Sequence, residues 1–149
     1  MNWIERIVAA MFLLLILPKL AAASEAANVA WNTDVVRAWQ QSQQHGRPLL
    51  VFVTRENCYY CTQMKDRTYA NTVVSGAISQ SFVPLVLDGG VSTPLLRDLN
   101  ITMYPSTFII SPQAVIVARI DGYVAPEVLA ERLNSLGPQM PIAKVVKDP

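Results

Sequence analysis

Two cysteines, the only ones in the chain, stand three residues apart in Cys58-Tyr59-Tyr60-Cys61. Sulfurs at this spacing can open and close a disulfide within one helical turn, which is redox chemistry. The pair follows the apolar run Leu49-Leu50-Val51-Phe52-Val53 and opens a segment that reads as a helix. At a helix N-terminus, unpaired backbone N–H groups and the helix dipole favour thiolate over thiol, so Cys58 is the expected nucleophile. Cys61, one turn further in and better shielded, is placed to attack a mixed disulfide on Cys58 and release the product. A fall in the Cys58 pKa from ~8.5 to ~7 corresponds to about 2 kcal/mol of thiolate stabilisation, which leaves roughly half the sulfur reactive at neutral pH. A bridge this short closes almost no loop entropy, so stabilisation alone is a poor reason for it.

The rest of the composition sets the frame. A chain of 149 residues with 52% hydrophobic content suits one small domain that needs no staples. Net charge is +1, charged residues make up 15%, and no Lys/Arg cluster marks a nucleic-acid surface or a polybasic membrane patch. The N-terminus reads as an address: Arg6, an apolar run from Ile7 to Leu17, then Ala21-Ala22-Ala23 before Ser24. That pattern predicts a signal peptide over 1–23, cleaved after Ala23, because the apolar run falls short of the ~20 residues that span a bilayer. An uncleaved anchor is the alternative. Residues 24–149 would then work in an oxidising compartment such as the periplasm.

Positioning the sulfurs requires a scaffold, and the pattern alternates. Asn32-Thr33-Asp34 can cap a helix through about Gln44, with Val35, Val36 and Trp39 on one side, ended by Gly46 and Pro48. Leu49 to Thr54 has the length and continuous apolarity of a strand buried on both faces. The redox helix follows, its end beyond Asp66 unmarked, and a helical pattern resumes from Thr72 to Phe82 through Val73, Val74, Ala77 and Ile78. Val83 to Leu87 reads as a second strand, closed by Asp88-Gly89-Gly90. A short helix over about 93–100 leads to a hairpin of Thr107 to Ile110 and Val115 to Ile120. Pro126 then opens an amphipathic helix carrying Val128, Leu129 and Leu133, ending near Gly137-Pro138. The implied divisions are a helical extension over 24–46, a domain over 47–137 and a flexible tail over 138–149.

In this order, with strand, C-x-x-C and helix, then Tyr104-Pro105 before the third strand and Gly122 after the fourth, the chain resembles the thioredoxin-like superfamily over roughly 49–136. Cys58-Tyr59-Tyr60-Cys61-Thr62-Gln63-Met64-Lys65 with Thr68, followed by Phe82-Val83-Pro84-Leu85-Val86-Leu87-Asp88, is most similar to its secreted bacterial disulfide reductases. The resemblance implies an α/β thioredoxin fold: a central mixed four-stranded sheet flanked by helices, here with an extra N-terminal helix. It implies that Pro105 is a cis-proline beside the sulfurs, leaving the polar groups of Tyr104 free to pair with an extended substrate segment. It implies reduction of disulfide-containing client proteins, fed by a thiol electron donor that is membrane-bound or soluble, by a monomer with no cofactor and no metal. Tyr59 and Tyr60 carry no positive charge near neutral pH and so cannot stabilise the thiolate as a histidine there could, which favours the reducing direction. Together with Tyr104 they are candidates for an apolar collar that grips a peptide.

Three departures from the thioredoxin pattern are visible, and the last two bear on the second cysteine. Asn57 stands where thioredoxin has tryptophan, and Phe52 stands where it has a buried aspartate that helps move the proton of the second sulfur. Near the matching turn, Pro84 or an apolar neighbour replaces a partly buried lysine. Deprotonation of Cys61 then falls to water or to Glu56, for which a solvated loop charge is the simpler reading. Other residues read as structural: His45 beside Gly46 at a helix end, Met64 and Trp39 in the core, Asp88 in a strand-end turn. Two cysteines and one distant histidine do not complete a zinc site. A different class of function also fits the sequence, a thioredoxin-fold binding or chaperone module with a static Cys58–Cys61 bridge. Oxidase and isomerase roles use the same sulfur chemistry.

Overall fold

A computed structural model describes residues 28–91 and 93–136. The expected signal peptide and C-terminal tail lie outside them, as does the Gly137-Pro138 helix stop. Helix α1 (Val35–His45) is capped by Asp34, whose Oδ1 accepts from the N–H groups of Val36 and Arg37 at 2.8 and 3.1 Å. It ends at Gly46, where φ is +62°, a left-handed turn that favours glycine. Strand β1 (Leu49–Thr54) leads to the short helix α2 (Tyr59–Gln63), which continues without a break as a π-helical segment over Met64–Tyr69. Helix α3 (Thr72–Ser81), strand β2 (Val83–Asp88), helix α4 (Pro94–Asp98), strands β3 (Ser106–Ile110) and β4 (Ile116–Asp121), and helix α5 (Pro126–Ser135) follow.

The sheet order is β2-β1-β3-β4, with β1 parallel to β2 and antiparallel to β3, and β3 antiparallel to β4. This mixed four-stranded sheet with helices on both faces is the architecture the resemblance implies. Central position explains the composition of β1: its alternate side chains feed opposite cores. Leu50 and Phe52 join the cluster formed with α3 and α5, including Ile78, Leu129 and Leu133. Leu49, Val51 and Val53 join the one formed with α1 and α4, including Ala38 and Leu96.

Several helical faces differ from the expected ones. Val36, Val73 and Val128 point to solvent. In α1 the inward stripe is Val35, Ala38, Trp39 and Ser42, an i, i+3, i+4, i+7 set from which Val36 is rotated by about 100°. In α3 it is Val74, Ser75 and Ile78, and in α5 Leu129, Ala130 and Leu133. The π segment closes with the Ala70 N–H donating to Lys65 O at 3.2 Å, and its extra residue lets Thr68 and Tyr69, adjacent in sequence, both face inward. Thr68 Oγ1 donates to Val124 O at 2.6 Å, and the Tyr69 hydroxyl meets Thr107 Oγ1 at 2.7 Å in the core. Burial pushes the Tyr69 phenol well above its ordinary pKa, so it stays neutral.

The stretch before α1 is also built in. Val29 and Trp31 enter the core, and Asn32 pairs with β2: its N–H donates to Pro84 O at 3.0 Å and its carbonyl accepts from the Val86 N–H at 2.9 Å. Pro84 lacks an N–H, which a strand tolerates where its neighbour makes no demand for one.

On the far side, Arg119 Nε donates to both oxygens of Asp121 at 3.0 and 2.8 Å while its Nη1 and Nη2 reach Leu99 O and Asn100 O at 3.1 and 3.2 Å. Ser106 Oγ lies 2.6 Å from Met103 O and 2.8 Å from Asp121 Oδ1, two acceptors that share its one hydroxyl proton. The cluster braces the loop that precedes β3. The Arg119 hydrogen bonds hold the Asp121 carboxyl below its ordinary value. A group with a depressed folded pKa stabilises the fold fully above its unfolded pKa of about 3.9, and the contribution fades as pH falls through the folded value. Acid titration of stability should therefore show a decline below about pH 4 that Asp121→Asn flattens. The pair is a third exposed, so water screens it and the effect should not exceed about 1 kcal/mol. Denaturant midpoints of both proteins across this range check it.

Candidate active site

β1 delivers the chain to the sulfurs. After Thr54, residues 55–57 turn outward, with Asn57 at φ +54°, a conformation asparagine tolerates better than most side chains. Cys58 is the N-cap of α2, in extended conformation, and its Sγ accepts the Cys61 N–H at 3.2 Å. Cys58 and Cys61 form a disulfide with their Cα atoms 5.2 Å apart. Cys58 is half-buried; Cys61, 2% exposed, lies behind it. The first sulfur is accessible and receives an N–H that would also stabilise its thiolate.

Pro105 is buried at the start of β3, and the Tyr104–Pro105 peptide is cis. Because Val53 pairs with Ser106, Pro105 comes level with the end of β1, where the chain departs toward Cys58. The Gly122 N–H donates to Pro105 O at 2.7 Å, and Gly122 holds φ +83°. Met103 Sδ lies 3.3 Å from where a Cβ on Gly122 would stand, so the loop before β3 and the turn after β4 are packed together.

Tyr59 and Tyr60 are exposed, with ring centroids 5.3 Å apart in an edge contact. Among the described residues, the ring that continues this run is Tyr123, 6.4 Å from Tyr60, rather than Tyr104. Tyr104 turns the other way. Its hydroxyl donates to Gly89 O at 3.2 Å, and its ring carries the Arg55 guanidinium at 5.2 Å. Tyr123 gave no local sequence signal; only the topology of β4 brings it beside the C-x-x-C.

An open pocket of about 580 Å³ adjoins Cys58, lined by Arg55, Glu56, Asn57, Thr62 and Lys65. Lys65 follows Cys61 by four residues and Cys58 by seven, a spacing that places it on the same helical face and was legible in the sequence. Phe52, at the position of the missing carboxylate, is buried against Trp31 and Tyr69. No buried carboxylate occurs among the described residues, and Glu56 is exposed at the pocket rim. His45 is exposed in the last turn of α1, Asp88 Oδ1 accepts from the Gly90 N–H at 2.8 Å, and Met64 is fully buried. No three His, Cys, Asp or Glu side chains gather as a metal site among the described residues.

The family profile of the thioredoxin-like domain matches residues 35–137. The chain belongs to the thioredoxin-like domain family. Solved thioredoxin-like structures share its fold. The oxidoreductase DsbH is 19% identical, over 74% of this chain and 85% of its own, with a TM-score of 0.61. A thioredoxin from Thermus thermophilus is 23% identical, over 73% and 87%, with a TM-score of 0.64. The oxidised C-terminal domain of DsbD from Neisseria meningitidis is 17% identical, over 71% and 98%, with a TM-score of 0.60. A search of the curated proteins found no match. Within this thioredoxin-like domain, the matched segment contains both cysteines, the cis-proline and all four strands. No helix among the described residues is long and apolar enough to cross a membrane.

Proposed function

We propose that the chain is a thiol–disulfide oxidoreductase that cycles Cys58 and Cys61 between dithiol and disulfide, reducing protein disulfides in the periplasm. The observation that carries this reading is the graded burial of the pair. Cys58 presents an accessible sulfur supported by the Cys61 N–H, and Cys61 waits behind it. In the cycle, Cys58 thiolate attacks a client disulfide, forms a mixed disulfide and expels one client sulfur. Cys61 then attacks Cys58 and expels the second, leaving the bridge found here. A thiol donor, membrane-bound or soluble, restores the dithiol. The exposed tyrosines 59 and 60 would hold the flank of the client, with Pro105 and the backbone of Tyr104 meeting its extended segment.

The reducing direction rests on the residues between the sulfurs. Neither tyrosine brings a cation into contact with Cys58, and Arg55 and Lys65 are exposed, so water screens what they add to thiolate stability. Equilibration with glutathione buffers tests the direction. The expected potential lies below about −180 mV, the value of protein disulfide isomerase, and one at or above it would overturn the assignment.

A further inference from the structure

The pocket beside Cys58 has a chemical bias that client reduction does not require. Its size, about 580 Å³, suits a small molecule rather than a protein surface. Two cationic residues line it from different elements, Arg55 from the loop after β1 and Lys65 from the π segment, against one anionic residue, Glu56. The Lys65 ammonium makes no hydrogen bond or ion pair among the described residues. Arg55 is held beside an aromatic ring. Its guanidinium lies over the Tyr104 ring, and that ring is fixed by the hydroxyl bond to Gly89 and by its close packing there, with Cζ 2.6 Å from where a Cβ on Gly89 would stand. The Arg55 guanidinium makes no hydrogen bond or ion pair among the described residues, so its N–H donors are unspent. Thr54, Asn57 and Thr62 add polar groups to the lining, and Tyr59 adds an aromatic one beside the two cysteines.

We propose that this pocket binds the carboxylate of a small, carboxylate-bearing disulfide or thiol and so delivers its sulfur to Cys58. The inference rests on the oxidoreductase reading above. With the reduced protein, Cys58 thiolate attacks one sulfur of R–S–S–R; the Cys58–SR bond forms as the original S–S bond breaks and RS⁻ leaves with the electron pair. Cys61 thiolate then attacks Cys58, the protein disulfide forms, and a second RS⁻ leaves. Two electrons pass to the small disulfide, and its two thiolates take up the protons the cysteines released. The reverse sequence makes two molecules of the small thiol the reductant of the protein.

The test is oxidation of the reduced full-length protein by three small disulfides: dithiodipropionate, which is anionic, 2-hydroxyethyl disulfide, which is neutral, and cystamine, which is cationic. Each rate is divided by that of dithiothreitol with the same disulfide, so intrinsic reactivity cancels. The expected order is anionic, neutral, cationic, with an anionic-to-neutral ratio of about ten at low salt that shrinks as salt is added. Arg55→Gln and Lys65→Gln should each lower the ratio severalfold and the double variant should bring it near one, whereas Arg132→Gln on α5 should leave it unchanged. Using a ratio removes any change in Cys58 reactivity common to both disulfides. Equal normalised rates in the wild type, or a preference that survives in the double variant, would overturn the pocket assignment while leaving the oxidoreductase reading intact. Failure to react with all three would overturn both.

Discussion

Cys61→Ser protein, reduced and mixed with a disulfide-containing client, is expected to accumulate as a covalent adduct through Cys58, and Cys58→Ser protein is expected to form none. The asymmetry follows from burial: Cys61 is 2% exposed, so a client sulfur reaches Cys58 first. Once the mixed disulfide has formed, the only internal group able to resolve it is the second sulfur, and a serine hydroxyl is no substitute for a thiolate. Turnover should fall to background in both variants, yet only one should trap its client. Non-reducing electrophoresis and intact mass distinguish them. Adducts in both, or client binding by both and by wild type with no thiol exchange in any, would replace the catalytic assignment with the static-bridge binding module.

Phe52→Ala should produce the largest loss of stability among single substitutions outside the cysteines, about 3–5 kcal/mol. Phe52 is 1% exposed in the central strand, and its ring meets Trp31 at 5.7 Å and Tyr69 at 4.9 Å, with Trp31 and Tyr69 themselves 4.9 Å apart in an edge contact. Removal leaves a void that β1, hydrogen-bonded on both sides, cannot collapse to fill, and it forfeits two aromatic contacts besides the buried area. Denaturant unfolding followed by tryptophan fluorescence measures it, with the slope expected to hold and the midpoint to fall. A loss under about 1 kcal/mol would mean that the cluster repacks freely.

β1 was legible to the residue because a strand buried on both faces is a continuous apolar run bounded by Pro48 and by the polar Arg55-Glu56-Asn57. A cap within Asn32-Thr33-Asp34, which the structure places at Asp34, and the opening Pro126 were legible because their chemistry is local. The π segment was not: six residues with i→i+5 bonding leave no 3.6-residue rhythm, and the inward pairing of Thr68 with Tyr69 contradicts one. At the site, Cys58 and Cys61 announced themselves by spacing. The turn of Tyr104 toward Arg55 and the arrival of Tyr123 depend on which strands neighbour which, and nothing within a few residues of either encodes that.

The match to the family begins at Val35, but the folding unit begins earlier. Val29 is buried in the core, Trp31 packs against it half-buried, and Asn32 runs alongside β2, occupying backbone groups that would otherwise be an unclosed margin of the sheet. Such margins invite self-association between copies of a chain. A fragment trimmed to the start of the family match would thus lose a wall of its aromatic interior and its guard against sticking together at once, so the few residues ahead of α1 act as a sealing strip for the fold.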